Sequence, residues 1–80
     1  MALYSVETRK SPEEVIQKAV VYFGEEGLGL SVGTEDPCCV TFQGGGGHVS
    51  VTASEEGGRT TVELETREWD YHVKKFMAQV

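Results

Sequence analysis

Two cysteines and two histidines are the side chains in this sequence best suited to hold a metal or to move a proton: Cys38, Cys39, His48 and His72. Thiolates and imidazoles bind zinc through bonds of about 2 Å. A histidine beside a carboxylate is a common general base. Between the cysteine pair and His48 lies a run of four glycines, Gly44 to Gly47, of the kind that elsewhere cradles a phosphate. A phosphate loop, however, leads into a helix and carries Lys followed by Ser or Thr. Here the run leads into His48-Val49-Ser50-Val51, an alternating segment with no lysine, so the glycines read as a hairpin tip.

Whether the cysteines and histidines can cooperate depends on the strands that carry them. Residues 38 to 68 read as three antiparallel strands joined by two glycine turns. A loop centred on Gly45-Gly46 opposes Phe42 to Val49, Val40 to Val51 and Cys38 to Ala53. The other face then holds Gln43 opposite His48, Thr41 opposite Ser50 and Cys39 opposite Thr52. A two-residue Gly57-Gly58 turn opposes Ala53 to Val62 and Val51 to Leu64. Both turns send Val49, Val51 and Ala53 to one face. A slip by one residue would scatter the apolar set across both faces, and glycine suits the positive φ of primed hairpin turns. In this register Cys39 and His48 are four residues apart along one strand pair, or ~13 Å at ~3.3 Å per residue. That is too far for one metal ion, so no metal site is expected. Gln43, His48 and Arg67 instead form a row across adjacent strands, with Glu65 diagonal to His48. Neighbours in such a row can touch.

The remaining segments clad this sheet. Ala2 to Thr8 alternates as a first strand, with Tyr4 and Val6 facing the core. Ser11-Pro12-Glu13-Glu14 starts a helix: Ser11 caps, Pro12 fits the first turn, and Glu14 completes a capping box. Val15, Ile16, Ala19, Val20 and Phe23 form its apolar stripe, and Gly24 is the expected terminator. Leu28, Leu30 and Val32 are expected on one face of a second strand. A five-residue loop from Gly33 to Pro37 would then oppose Val32 to Cys38 and Leu30 to Val40. Trp69, Val73, Phe76, Met77 and Val80 make the stripe of a last helix, with Asp70 as its N-cap. The chain is one α+β domain over residues 1 to 80, in the order β-α-β-β-β-β-α. Its antiparallel sheet is expected in the order 1-5-4-3-2 with both helices on one face, because sheet and helices each have a single apolar side.

Composition narrows the function classes. A net charge of −6 argues against nucleic-acid phosphates and against anionic membrane surfaces. No apolar run approaches the roughly 20 residues of a membrane helix, and the N-terminus has no signal-peptide core. Adjacent cysteines on a strand point to opposite faces, so two free thiols are expected, with Cys38 a small buried hydrophobe. Free thiols suit a reducing compartment, and the expected location is the cytoplasm.

The opening SPEEVIQKAVVYF is similar to the first helix of helix-grip proteins, the START and pollen-allergen type, and EWDYHVKKFMAQV is similar to their last. The order of elements also resembles one repeat of the TATA-binding-protein fold. The second resemblance implies a DNA-binding concave sheet with basic residues and aromatic wedges. The open face here carries Thr41, Ser50, Thr52, Glu63 and Glu65 instead. The first resemblance implies a small-molecule pocket between the last helix and the sheet, reduced in so short a chain. Two function classes follow. One is a non-enzymatic domain acting through contacts with a protein partner or a second copy of itself. The alternative is a binder of a lipid or aromatic acid. An enzyme using His48 and Glu65 ranks below both, since an open sheet face excludes no water. No cofactor is expected. The candidate binding residues are Gln43, His48, Glu65 and Arg67 on the sheet. Tyr22 joins them with Tyr71 and His72, which can line a groove between the helices.

Overall fold

The computed structural model describes all residues from Met1 to Val80. The strands are β1 (Ala2–Thr8), β2 (Ser31–Glu35), β3 (Cys39–Gly44), β4 (Gly47–Glu56) and β5 (Arg59–Arg67). The helices are α1 (Pro12–Phe23) and α2 (Asp70–Gln79). The five strands form one antiparallel sheet in the order β1-β5-β4-β3-β2.

Glycine pairs fix the register of the centre. Gly45 and Gly46 have φ of 58° and 78°, and Gly57 and Gly58 have φ of 61° and 80°. Two successive positive φ angles twist the chain in the sense the flanking strands need, and few residues other than glycine tolerate them. The turns bring Phe42 opposite Val49, Val40 opposite Val51, Ala53 opposite Val62 and Val51 opposite Leu64, as the alternation predicts.

Both helices lie on the apolar face. Val15, Ile16, Ala19 and Phe23 of α1 are buried, as are Val73 and Phe76 of α2. Phe23 sits at the centre, its ring centroid 5.4 Å from that of Phe42 and 5.3 Å from that of Phe76. The capping box at Ser11 and Glu14 is complete. Gly24 does end α1, but with extended backbone (φ −73°, ψ −164°) rather than a left-handed turn. Glycine is needed there because a β-carbon would run into the carbonyl of Val20.

At α2 the N-cap position is Trp69, not Asp70. Asp70 is the first helical residue, and its carboxylate accepts a 2.7 Å hydrogen bond from the Tyr4 hydroxyl of β1. Trp69 ties the start of α2 to the first hairpin, its indole N–H donating to the Gly44 carbonyl at 2.9 Å.

The second strand departs from expectation. Leu30 is fully buried just ahead of β2, but Val32 is 39% exposed and every residue of β2 lies at the surface. Val32 pairs with Phe42 and Glu35 with Val40, so Cys38 and Leu30 are not the partners. Two local features cause this. Reciprocal backbone bonds between Asp36 and Cys39 shrink the connection to a tight turn over Pro37 and Cys38. A bulge between Val32 and Glu35 then absorbs one extra residue. Inside it, the Thr34 N–H donates to the Thr41 hydroxyl at 2.9 Å in place of a ladder bond.

The same turn overturns the expectation for the cysteines. Cys38 lies in the turn rather than in the strand and is exposed, and Cys39 is half-buried. Their sulfurs are joined in a disulfide, leaving no free thiol. A side chain at a turn corner is not held to the strict alternation of a strand, so the two sulfurs can meet. The inference of a reducing compartment from free thiols no longer stands. No helix is long and apolar enough to cross a membrane.

Candidate functional site

On the open face the register lays polar side chains in rows. The first contains Arg67, His48, Gln43 and Ser31, and the second contains Leu3, Glu65, Ser50 and Thr41. The third holds Ser5, Glu63, Thr52 and Cys39. The structure therefore brings Gln43, His48 and Arg67 together and keeps Cys39 two rows from His48. Glu65 reaches across from its own row, its carboxylate 3.6 Å from Nε2 of His48. Thr66, on the buried face, donates its hydroxyl to the His48 carbonyl at 2.9 Å and fixes the backbone beneath the imidazole.

The first row and the glycine tip surround a shallow depression of about 590 Å³ with no apolar side chain in its lining. Arg67, His48 and the amide of Gln43 supply donors there. The carboxylate of Glu65 gives His48 an acid–base partner. No nucleophile stands within this row other than Ser31 at its far end, and the His48 side chain keeps 30% of its surface open to solvent. The arrangement can hold a polar group from solution. It does not enclose one.

The groove expected between Tyr22, Tyr71 and His72 is divided. Tyr22 is half-buried, with its ring centroid 5.0 Å from Phe23 and 5.7 Å from Phe76. Together with Val21, Lys10, Glu14, Gln17, Lys18 and Gln79 it lines a groove of about 470 Å³ between α1 and the end of α2. Tyr71 and His72 belong to the first turn of α2, at its other end, and line none of this groove. It is the C-terminal end of α2, at Gln79, that reaches this groove. Tyr71 is exposed, with Lys75 over its ring, and the His72 ring rests between Trp69 and Tyr71 with Nδ1 buried and unpartnered.

Two acidic or phenolic groups have displaced pKa values. Tyr4 is raised, chiefly by its hydrogen bond to Asp70, with desolvation and the Asp70 charge adding to it. Glu14 is lowered, chiefly by the Ser11 backbone N–H and then by its hydroxyl.

One surface was not anticipated from the sequence. Along the seam between α1 and β2 lies a crevice of about 560 Å³ lined by Val20, Val21, Glu25, Glu26, Ser31 and Val32. A second one of about 390 Å³, lined by Glu13, Ile16, Gln17, Glu35, Asp36 and Pro37, occupies the same seam nearer the start of α1. The sequence signal was the pair of acidic doublets that flank Leu28 to Thr34. Placing Val32 in the core concealed it.

No family model matches the chain, and no curated protein matches it. A solved structure does: the solution structure of the Aha1 dimer from Colwellia psychrerythraea, at a TM-score of 0.59 and 15% sequence identity. The alignment covers 98% of this chain and 89% of that one. At that identity the likeness is one of fold. This chain has a small, helix-grip-like α+β fold. Of the two resemblances read from the sequence, the helix-grip one is thus supported at the level of architecture.

Proposed function

We propose that this chain is a non-enzymatic domain that works through protein contacts and pairs with a second copy of itself. The observation that carries the reading is the filled interior. Phe23, Phe42, Phe76, Val62, Leu64 and Val73 are all fully buried between the helices and the sheet, where a helix-grip protein would hold its ligand. What is left for recognition is surface. Strand β1 is a free edge of seven residues, with Leu3 within it 73% exposed and Met1 ahead of it 88% exposed. Exposed apolar side chains next to an unpaired strand favour association. The solved structure of similar fold is described as a dimer, which fits the same reading.

Light scattering across a concentration series tests it. A mass of two chains is expected, falling to one chain in Leu3→Glu. A strict monomer at every concentration would remove the homodimer. A second reading, a small-molecule binder, draws on the groove of about 470 Å³ beside Tyr22. A thermal-shift screen with aromatic acids and fatty acids separates the two, because only the binder gains stability from them.

A further inference from the structure

Charge is unevenly distributed along this chain. From Ser11 to Pro37 there are six carboxylates, Glu13, Glu14, Glu25, Glu26, Glu35 and Asp36, against the single cation Lys18, so this third of the chain carries five of the six net negative charges. Five of the six line the seam between α1 and β2; Glu14 and Lys18 face the groove on the other side of α1. The apolar part of the seam's lining is Ile16, Val20, Val21 and Val32; Val32 is 39% exposed, and Val21, 64% exposed, is shared with the groove beside Tyr22. Its outer wall is the unpaired edge of the sheet.

From this combination we infer that the α1–β2 seam is a docking site for an extended, basic segment of a partner protein, with lysines or arginines alternating with small apolar residues. The inference rests on the protein-contact reading above and names a surface and a partner chemistry for it. Alternation follows from strand geometry: an extended peptide sends every second side chain to one side. Its apolar residues would pack on Val20 and Val32 while its cations meet the carboxylates on the rims. Free backbone groups at a strand edge add main-chain bonds to such a peptide. The bulge at Gly33 and Thr34 turns one N–H inward and breaks the edge ladder, so side-chain recognition in the crevice contributes more here than a long run of strand pairing. A second copy of the chain is a poor occupant, because it would set one row of carboxylates against another. Fields of one sign speed the capture of oppositely charged partners and exclude like-charged ones.

The test is an NMR titration of the isotope-labelled full chain with a blocked octapeptide of alternating lysine and valine. Its glutamate–valine counterpart serves as the control. Shifts are expected at Val20, Val21, Glu25, Glu26 and Val32 with the lysine peptide only, and binding should weaken as salt is raised. The double variant Glu25→Lys, Glu26→Lys alters exposed positions that support no packing, and it should bind roughly tenfold more weakly. Val32→Asp should do the same while its spectrum stays folded. Equal binding of the two peptides, shifts confined to β1 or the open face, indifference to both variants, or no shift at millimolar peptide would each overturn the inference. So would concentration-dependent shifts in the seam without peptide, which would assign it to a second copy. Self-association through β1 is read separately by light scattering, so either idea can fail without the other.

Discussion

Replacing Phe76 with alanine tests the claim that the space beneath α2 is solid. Phe76 is fully buried, its ring centroid 5.3 Å from Phe23 and 5.7 Å from Tyr22, and it is one of two buried residues that hold α2 to the core. Truncating a buried phenylalanine costs about 3–5 kcal/mol, the sum of lost transfer energy and the cavity left behind. At roughly 0.05–0.15 kcal/mol per residue, a chain of this length has on the order of 4–12 kcal/mol in total. The variant should therefore remain folded in the cold but lose a large share of its stability. Urea unfolding followed by circular dichroism, compared with wild type at one low temperature, measures the difference. The void would be lined by aromatic and aliphatic side chains, and such cavities accept small apolar guests. Benzene or indole should then raise the midpoint of the variant and leave wild type unmoved, since only a ligand bound to the folded state stabilises it. A loss below about 1 kcal/mol, or an equal response of wild type to the guest, would refute the filled-core reasoning.

Further outcomes follow from other contacts. The lowered Glu14 pKa means that its capping contribution is present above the ordinary carboxylate range and is lost as pH falls through the folded-state value. Glu14→Gln should therefore flatten the acid limb of a stability–pH curve. For Tyr4 the raised value works in the opposite sense: its contribution is present below pH about 10 and is lost as the phenol ionises. Tyr4→Phe should remove that alkaline loss, as thermal melts at increasing pH will show. Trp69→Phe deletes the bond to the Gly44 carbonyl and should cost about 1–3 kcal/mol by chemical denaturation. Iodoacetamide should label neither Cys38 nor Cys39 in the denatured, unreduced chain, and should label both after reduction, as read by mass spectrometry.

The centre of the sheet was legible because two independent constraints coincide there. Alternation places Val49, Val51 and Ala53 on one face, and each glycine pair allows only one register that keeps them together. The rows on the open face follow from the same register, and with them the cluster of Gln43, His48, Glu65 and Arg67. Strand β2 was not legible, because a bulge changes the parity of the strand and no residue type announces it. The misplacement of Cys38 has the same origin, since the turn at Pro37 removes it from the strand. The oxidation state of a thiol pair is not written in the sequence at all. Tyr22, Tyr71 and His72 share a chemistry but not a place. Which ends of two helices meet is set by how the helices cross the sheet, and a stripe of apolar residues fixes only which side faces inward.

The pairing of β1 with β5 has a consequence for how the chain reaches this structure. Ala2 lies opposite Thr66, Tyr4 bonds to Asp70, and the Thr8 hydroxyl donates to the carbonyl of Val80. The first strand of the fold thus has its partners in the last strand and the last helix. The three-strand meander can close on itself through turns of two residues. Strand β1 must instead wait, unpaired, until β5 has been made. Loop closure over such a separation slows folding relative to local contacts. Folding rate should therefore respond most to changes within β3 to β5, while substitutions in β1 and α2 should act mainly on the rate of unfolding. Until β5 has emerged, β1 is an open strand with nothing to pair with, and until α2 follows, Tyr4 lacks its bond to Asp70.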